Sequence, residues 1–372
     1  MSLQGRLATF ITALGADIKS LFARSLPPGG GAGQVLVKGS NADYDASWAT
    51  GSGVPGGNSG ELQYNNSGAF AGAANVEIDN GDLSLVVGAG APVTPQGDTV
   101  KLFAKKLAGR VLPASVGPSG VDAALQPATW RQKVGLWNPP GNATTVPGVF
   151  GFTAPTAVGT ATARTVATSN LFTRTRRLGY VSGTTAGSLS GHYVPVAQFT
   201  TGNGAGLGGF FYSCRFGISD AAAVSGARSF VGISSGVAAP TNVEPSTLLN
   251  SIGVAQLSTD ATQLYLVYGG SAAQAAIALG ANFPPMAGTG AANGIAYDLT
   301  LFASPSLNGV VYFRLERIGT SFVVEGTLTP AVVGTQTPAS TTLLAHRAWR
   351  SNNAAARAVG IDIISVYTET DY

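Results

Sequence analysis

Five apolar residues near the start of the chain, Leu7, Ile11, Leu14, Ile18 and Leu21, recur at alternating spacings of four and three. That rhythm places them on one stripe of a helix and in the a and d positions of a heptad seam. The pattern predicts a helix over residues 1–25 whose stripe needs a partner: either sister chains in a short coiled coil, or a larger surface on which an amphipathic helix docks. Ile at a and Leu at d lean towards two strands, but a seam of about three heptads leaves the number of chains open. The helix should stop at Leu26–Gly31, LPPGGG, because proline removes backbone donors and glycine admits turns.

Beyond that stop the pattern changes to short strands. Gly33–Ala42, GQVLVKGSNA, returns after 27 residues as Gly60–Ala69, GELQYNNSGA, aligned without gaps at Gly, Gln/Glu, an apolar position, Ser and Ala. Each copy reads as a short strand, an Asn/Gly/Ser turn and an aromatic, Tyr44 or Phe70. A unit this small cannot bury its own apolar face and is stable only when identical chains wrap around one another or stack. Residues 26–90 are therefore expected to form a thin β stalk. Residues 91–139 read as a connector with one strand, Thr99–Ala104, and a basic cluster at Lys101, Lys105, Lys106 and Arg110.

In the remainder, runs of β-branched and aromatic residues alternate with Gly, Ser, Asn and Pro. The clearest are His192–Phe199, Gly209–Ile218, Ser229–Ile233, Gln263–Tyr268, Tyr297–Phe302, Val310–Arg317, Phe322–Leu328 and Gly360–Thr368. So many strands with almost no helical period predict a β-sandwich over residues 140–372. Its best hairpin is Val310–Leu328, where a two-residue turn at Gly319 and Thr320 would set Arg314 opposite Glu325 and turn Phe313, Leu315 and Val324 inward.

Composition sharpens this picture. Only 10% of the 372 residues are charged, against 51 glycines and 20 prolines, so long charged helices cannot dominate and turns must be frequent. A formal charge of +3 from 21 basic and 18 acidic residues is too slight to imply a nucleic-acid partner or a membrane surface. Cys214 is the single cysteine, so stability must come from packing or oligomerisation rather than an intrachain disulfide. The N-terminal segment shows no uninterrupted apolar stretch or cleavage site, so synthesis in the cytoplasm and release by lysis are expected.

The segments GGGAGQVLVKGSNADYDASW and GNSGELQYNNSGAFAG resemble cassettes in the stalks of tailed-phage tail fibres and related virion fibres, which are trimeric in that family. The resemblance covers roughly residues 1–90. FFYSCRFGISD, ARSFVGIS, QLYLVYGG, AYDLTLFA and the Val310–Leu328 hairpin resemble the lectin-like jelly-roll heads of phage fibres and tailspikes, which are similar to concanavalin-type sandwiches. These resemblances imply a mainly β homotrimer with a short N-terminal coiled-coil helix, a thin intertwined β stalk and a C-terminal jelly-roll sandwich. They also imply a virion location, attachment to other virion proteins through the N-terminus, and adsorption to a host surface glycan or outer-membrane component. A head, collar or baseplate decoration fibre and a polysaccharide-depolymerising tailspike are the alternatives.

Catalytic and metal chemistry is poorly supplied. The two histidines, His192 and His346, stand far apart with no HxxxH or HExxH context and read as surface or packing residues. Glu77–Asp82, EIDNGD, lacks the calcium-loop pattern and reads as a turn between stalk strands. Gly232–Gly236 satisfies GxSxG, but no helix follows Ser234, and Gly204–Gly209 satisfies GxGxxG with a strand where a phosphate cradle needs a helix. A glycosidase needs two carboxylates about 5–10 Å apart, and none of Asp220, Glu244, Asp260, Asp298, Glu316, Glu325 and Asp362 is brought into a pair by sequence alone. No enzyme, cofactor or metal site is expected. The candidates for sugar contact are Trp130, Trp137 and Trp349, in loop-like contexts with basic or amide neighbours, and the basic cluster Arg174, Arg176 and Arg177.

Overall fold

The computed structural model describes residues 2–25, 27, 29–42, 45–50, 56–88, 92–93, 95, 99–117, 122–124, 133–147, 149–151, 153–288 and 294–370. It divides the chain into two units, Met1–Ala91 and Pro92–Tyr372, rather than the four segments drawn from sequence.

In the first unit the heptad stripe lies on one helix, α1 (Leu3–Ser25), which ends just before the proline and glycine run. The first cassette is a hairpin of β1 (Gln34–Lys38) and β2 (Ala46–Thr50). The second contributes β3 (Glu61–Asn66) and β4 (Ala69–Asp79), and β5 (Asp82–Leu85) completes a three-stranded sheet. Both turns of that sheet, Ser67-Gly68 and Asn80-Gly81, have positive φ at each residue (56° and 94°; 49° and 91°), the type I′ geometry that matches strand twist. EIDNGD is thus a turn between strands, as expected. On the β4–β5 hairpin Val76 and Ile78 pair with Leu85 and Leu83 on one face, while Glu77 and Asp79 pair with Ser84 and Asp82 on the other. Yet none of the described residues of this unit is buried. The five stripe residues of α1 are 46–70% exposed, and Leu36, Leu62, Phe70, Ile78 and Leu83 are exposed as well.

The second unit is a two-layer antiparallel sandwich. Its seven-stranded sheet contains β10 (Thr156–Val158), β13 (Leu189–Tyr193), β22 (Ala345–Ser351), β15 (Arg228–Ser234), β16 (Ser251–Gln256), β17 (Tyr265–Gly269) and β18 (Ile277–Ala278), in that order. The eight-stranded sheet runs β11 (Thr160–Ala163), β12 (Leu178–Val181), β23 (Gly360–Thr370), β14 (Phe210–Ile218), β19 (Tyr297–Ala303), β20 (Val311–Arg317) and β21 (Val323–Leu328), with β9 (Lys133–Trp137) added beside β23. The chain crosses between the layers repeatedly, so consecutive hairpins such as β15–β16–β17 and β19–β20–β21 alternate with pairings of strands far apart in sequence, such as β13 with β22 and β14 with β23. One core joins them: Val231, Ile233, Ile252 and Leu266 from one sheet meet Tyr212, Phe216, Leu299, Leu315 and Ile363 from the other. Burial on this scale stabilises by about 1.5–3 kcal/mol per large apolar side chain.

The Val311–Leu328 hairpin has the predicted register, with Arg314 opposite Glu325, and Phe313 and Leu315 are buried with Val324 packed against the same core. The expected connector is a correction. Its basic cluster lies on or beside a hairpin, β6 (Lys101–Leu107) and β7 (Arg110–Val116), with β8 (Asp122–Ala124) alongside, and β9 is a strand of the sandwich itself. Ala104, Ala108, Ala114 and Val116 are buried, so this segment packs rather than links.

Candidate functional site

The outer face of the seven-stranded sheet is closed over its central strands. Phe230, Ala255, Val267 and Trp349 form a small buried cluster there, sealed by Leu248 from the long connection between β15 and β16. That connection is tied down by Arg347, which donates to the carbonyls of Gly236 (3.2 Å) and Ala238 (2.7 Å), and by Arg228, which donates to Glu244 (2.9 Å) and Asn242.

The outer face of the eight-stranded sheet is built differently. Cross-strand registers align three rows across it: Glu369, Phe211, Phe302, Tyr312 and Thr327; then Tyr367, Ser213, Thr300, Arg314 and Glu325; then Ser365, Arg215, Asp298, Glu316 and Val323. The first row is aromatic at its centre, with the Phe302 and Tyr312 rings stacked at 6.0 Å. The other two are polar. Arg314 pairs with Glu316 at 2.7 Å and lies 3.9 Å from Glu325, while Asp298 accepts from Arg215 (2.8 Å) and Ser213 (3.0 Å).

The tip of the β6–β7 hairpin rests on the aromatic row. A methyl group at Gly109 would collide with the Tyr312 ring, so only glycine lets the tip approach this closely. Arg110 stacks over Phe211 at 5.0 Å and forms an ion pair with Glu369, which Tyr367 also contacts. Burial and the Glu369 carboxylate together push the Tyr367 phenol well above its ordinary range. A cleft remains on either side of the tip. One, about 230 Å³, is lined by Arg110, Phe210, Phe211, Phe302, Pro305 and Glu369; the other, about 160 Å³, by Lys106, Tyr312, Glu325 and Thr327 among others. An aromatic surface beside fixed carboxylate, guanidinium and hydroxyl groups matches a sugar ring, which has an apolar face and hydroxyls at its edge.

The residues chosen from sequence for sugar contact fall elsewhere. Trp137 lies on β9 and Trp349 on β22, not in loops; they are 2% and 1% exposed and have no face to offer a ligand. Trp137 packs edge-on against His192 in the core, and Trp349 is sealed under the β15–β16 connection. Trp130 lies outside the described residues. The basic cluster divides. Arg174, on the short helix α2 (Leu171–Arg174), and Arg176 are exposed, whereas Arg177 is 7% exposed. Arg177 donates to Asp362 at 2.9 Å beside a second guanidinium, Arg164, which reaches both carboxylate oxygens. Its guanidinium also covers Phe172 at 4.6 Å, so it holds α2 to the sheet.

Except for Glu325, which is 64% exposed, the candidate carboxylates of the sandwich are likewise committed. Asp220 binds Arg350, Glu244 binds Arg228, and Asp260 accepts from Thr262, Gln263 and Tyr265, bonds that hold it well below the usual carboxylate range. Asp298 and Glu316 are direct cross-strand partners, but each is occupied by its own arginine. Ser234 ends a strand, and its hydroxyl meets Ser251 and the Gly236 amide. The described residues contain no cluster of metal-ligating side chains.

Sequence reasoning missed the outer-face rows because each of their residues is unremarkable on its own strand. The alternation in VVYFRLERI and AYDLTLFA carried the signal, since it placed Tyr312, Arg314 and Glu316, and Asp298, Thr300 and Phe302, on the non-core face.

No family model and no curated protein matches the chain. Among solved structures, it is similar to arcelin-5, a lectin-like defence protein from Phaseolus vulgaris, at 10% identity and a TM-score of 0.38 over 64% of this chain and 98% of that one. Peanut lectin is similar at 9% identity and a TM-score of 0.39, over 64% and 97% of the two chains. The CBM2 module of an evolved Dit protein of Lactobacillus casei BL23 phage J-1 is similar at 17% identity and a TM-score of 0.36, over 64% and 91%. At such TM-scores these likenesses carry no argument about the ligand or activity of this chain.

Proposed function

We propose that this chain is a bacteriophage fibre protein: residues 1–91 assemble with two sister chains into a stalk attached to the particle, and the sandwich binds a host surface glycan. One contrast carries the reading. The first unit buries none of its described residues and exposes a full heptad stripe, whereas the second has a complete core of its own. A helix and short sheets in that condition are not stable alone in water and need other chains to cover them. The cassette resemblance supports phage origin and threefold assembly. For the head, support comes from the two clefts that flank the hairpin tip on the aromatic and polar face of the larger sheet, opposite a face that is closed by its own loop. In the trimer, weak single contacts become strong through avidity.

The test is binding of the purified protein to a panel of bacterial surface polysaccharides. We expect at least one to bind, and the Tyr312→Ala, Arg314→Ala double variant to lose about tenfold or more, roughly the 1.4 kcal/mol or more that one stacking and one charged contact supply. Binding that survives the double variant contradicts this face as the site. No binding to any glycan or host cell supports a decoration fibre, and release of oligosaccharides supports a depolymerase.

A further inference from the structure

The two histidines that sequence leaves isolated meet in the core. His192 on β13 and His346 on β22 face each other with their Nε2 atoms 2.7 Å apart, and both are buried. Each outer nitrogen contacts a tyrosine of the opposite sheet: His192 Nδ1 lies 2.9 Å from the Tyr180 hydroxyl on β12, and His346 Nδ1 lies 2.8 Å from the Tyr212 hydroxyl on β14. Tyr212 also contacts the Gly232 carbonyl at 3.3 Å. The row Tyr180, His192, His346, Tyr212 therefore starts in the eight-stranded sheet, runs through two strands of the other, and returns.

Hydrogen counting gives this row a direction. A carbonyl only accepts, so the Tyr212 proton goes to Gly232 and the Tyr212 oxygen accepts from His346 Nδ1–H. His346 Nε2 is then bare and accepts from His192 Nε2–H, which leaves His192 Nδ1 bare to accept from Tyr180. In the opposite direction the Tyr180 proton has no acceptor among the described residues, so the first arrangement is the one that satisfies every member.

We infer that this row is a proton-operated latch, which ties the two sheets together while both imidazoles are neutral and releases them when either takes up a proton. A proton on His192 Nδ1 displaces the Tyr180 hydrogen from its acceptor. A proton on His346 Nε2 sets two N–H groups against each other across 2.7 Å. Among the described residues no charged partner offsets the added charge. The groups facing the pair are the Tyr180 phenol on β12, the Tyr212 phenol on β14 with Cys214 beside it, the Gly232 carbonyl on β15 and the Trp137 ring on β9. Burial pushes both phenols and the thiol upward, so all three stay protonated and neutral. No carboxylate among the described residues contacts either ring; burial lowers His192 to about 3, and burial together with His192 holds His346 well below the ordinary histidine range. The sign follows: the unfolded chain accepts protons below pH about 6.5 that the folded chain refuses, so stability is complete above that pH and is lost as pH falls towards the folded values.

The test uses the full-length protein, with near-UV circular dichroism followed from neutral pH downward. A His192→Gln, His346→Asn variant, which keeps amide groups near the two ring positions but cannot ionise there, should hold its sheets together to a pH lower by about one unit. An unchanged acid midpoint in a folded variant overturns the latch. Should the variant fail to fold, nitrogen NMR of the wild-type imidazoles decides alone. Protons fixed on His192 Nε2 and His346 Nδ1, invariant down to the acid transition, are expected; a ring that titrates near its ordinary value of about 6.5 overturns the inference.

Discussion

Replacing Asp362 by asparagine keeps the shape of the side chain and removes its charge. In the wild type this carboxylate is fully buried and receives Arg164 through Nε (3.2 and 3.0 Å) and Nη2 (3.0 Å), and Arg177 through Nε (2.9 Å). The substitution leaves two guanidinium groups facing an uncharged amide. Removing one partner of a buried pair costs about 3–5 kcal/mol. Arg177, with a side chain only 8% exposed, should account for most of that, because the Arg164 side chain is 24% exposed and water screens it in part. A loss of about 3 kcal/mol is thus expected from a domain whose whole stability is about 5–15 kcal/mol. Urea denaturation of the sandwich transition should show a lower midpoint with an unchanged slope. Arg177→Ala should cost more than Arg164→Ala, and neither should lower glycan binding directly, since both guanidiniums serve to dock β11 and α2. A loss under about 1 kcal/mol, or an order with Arg164 dominant, refutes the reasoning that this cluster is a buried structural pin.

Two further outcomes are expected. Trp349→Ala should cost about 3–5 kcal/mol by urea denaturation, because its ring fills the cluster under the β15–β16 connection, and glycan binding by the variant that remains folded should be unchanged. Arg110→Ala removes both the Glu369 ion pair and the cover over Phe211, so amide exchange in residues 101–116 should speed up markedly while the strands of the sandwich keep their protection.

The fold was legible where a strand obeys its period. FFYSCRFGI and VVYFRLER alternate cleanly, GIDIISVYTE alternates on either side of a bulge at Ile364, and all three strands fall close to the expected bounds. AHRAWRS hides its strand character because its core-facing positions include His346 and Arg350, polar residues that only tertiary partners make acceptable. Those partners, Tyr212 and Asp220, are more than a hundred residues away in the chain. SIGVAQ carries a weak strand signal because glycine and alanine face the covered outer side, where there is little room. The heptad stripe and the cassettes were legible because their periods are local. The candidate site was not, since its rows are assembled across strands β14, β19, β20, β21 and β23, and no single segment carries more than a few of its residues.

The most direct test of the fibre reading is the native mass of the full-length chain in solution. Three chains per particle are predicted at concentrations down to the micromolar range, and the Leu14→Asp, Ile18→Asp variant should reduce that mass without unfolding the sandwich, because a charge in the seam opposes burial of the stripe. A stable, well-behaved monomer of 37.4 kDa contradicts the account.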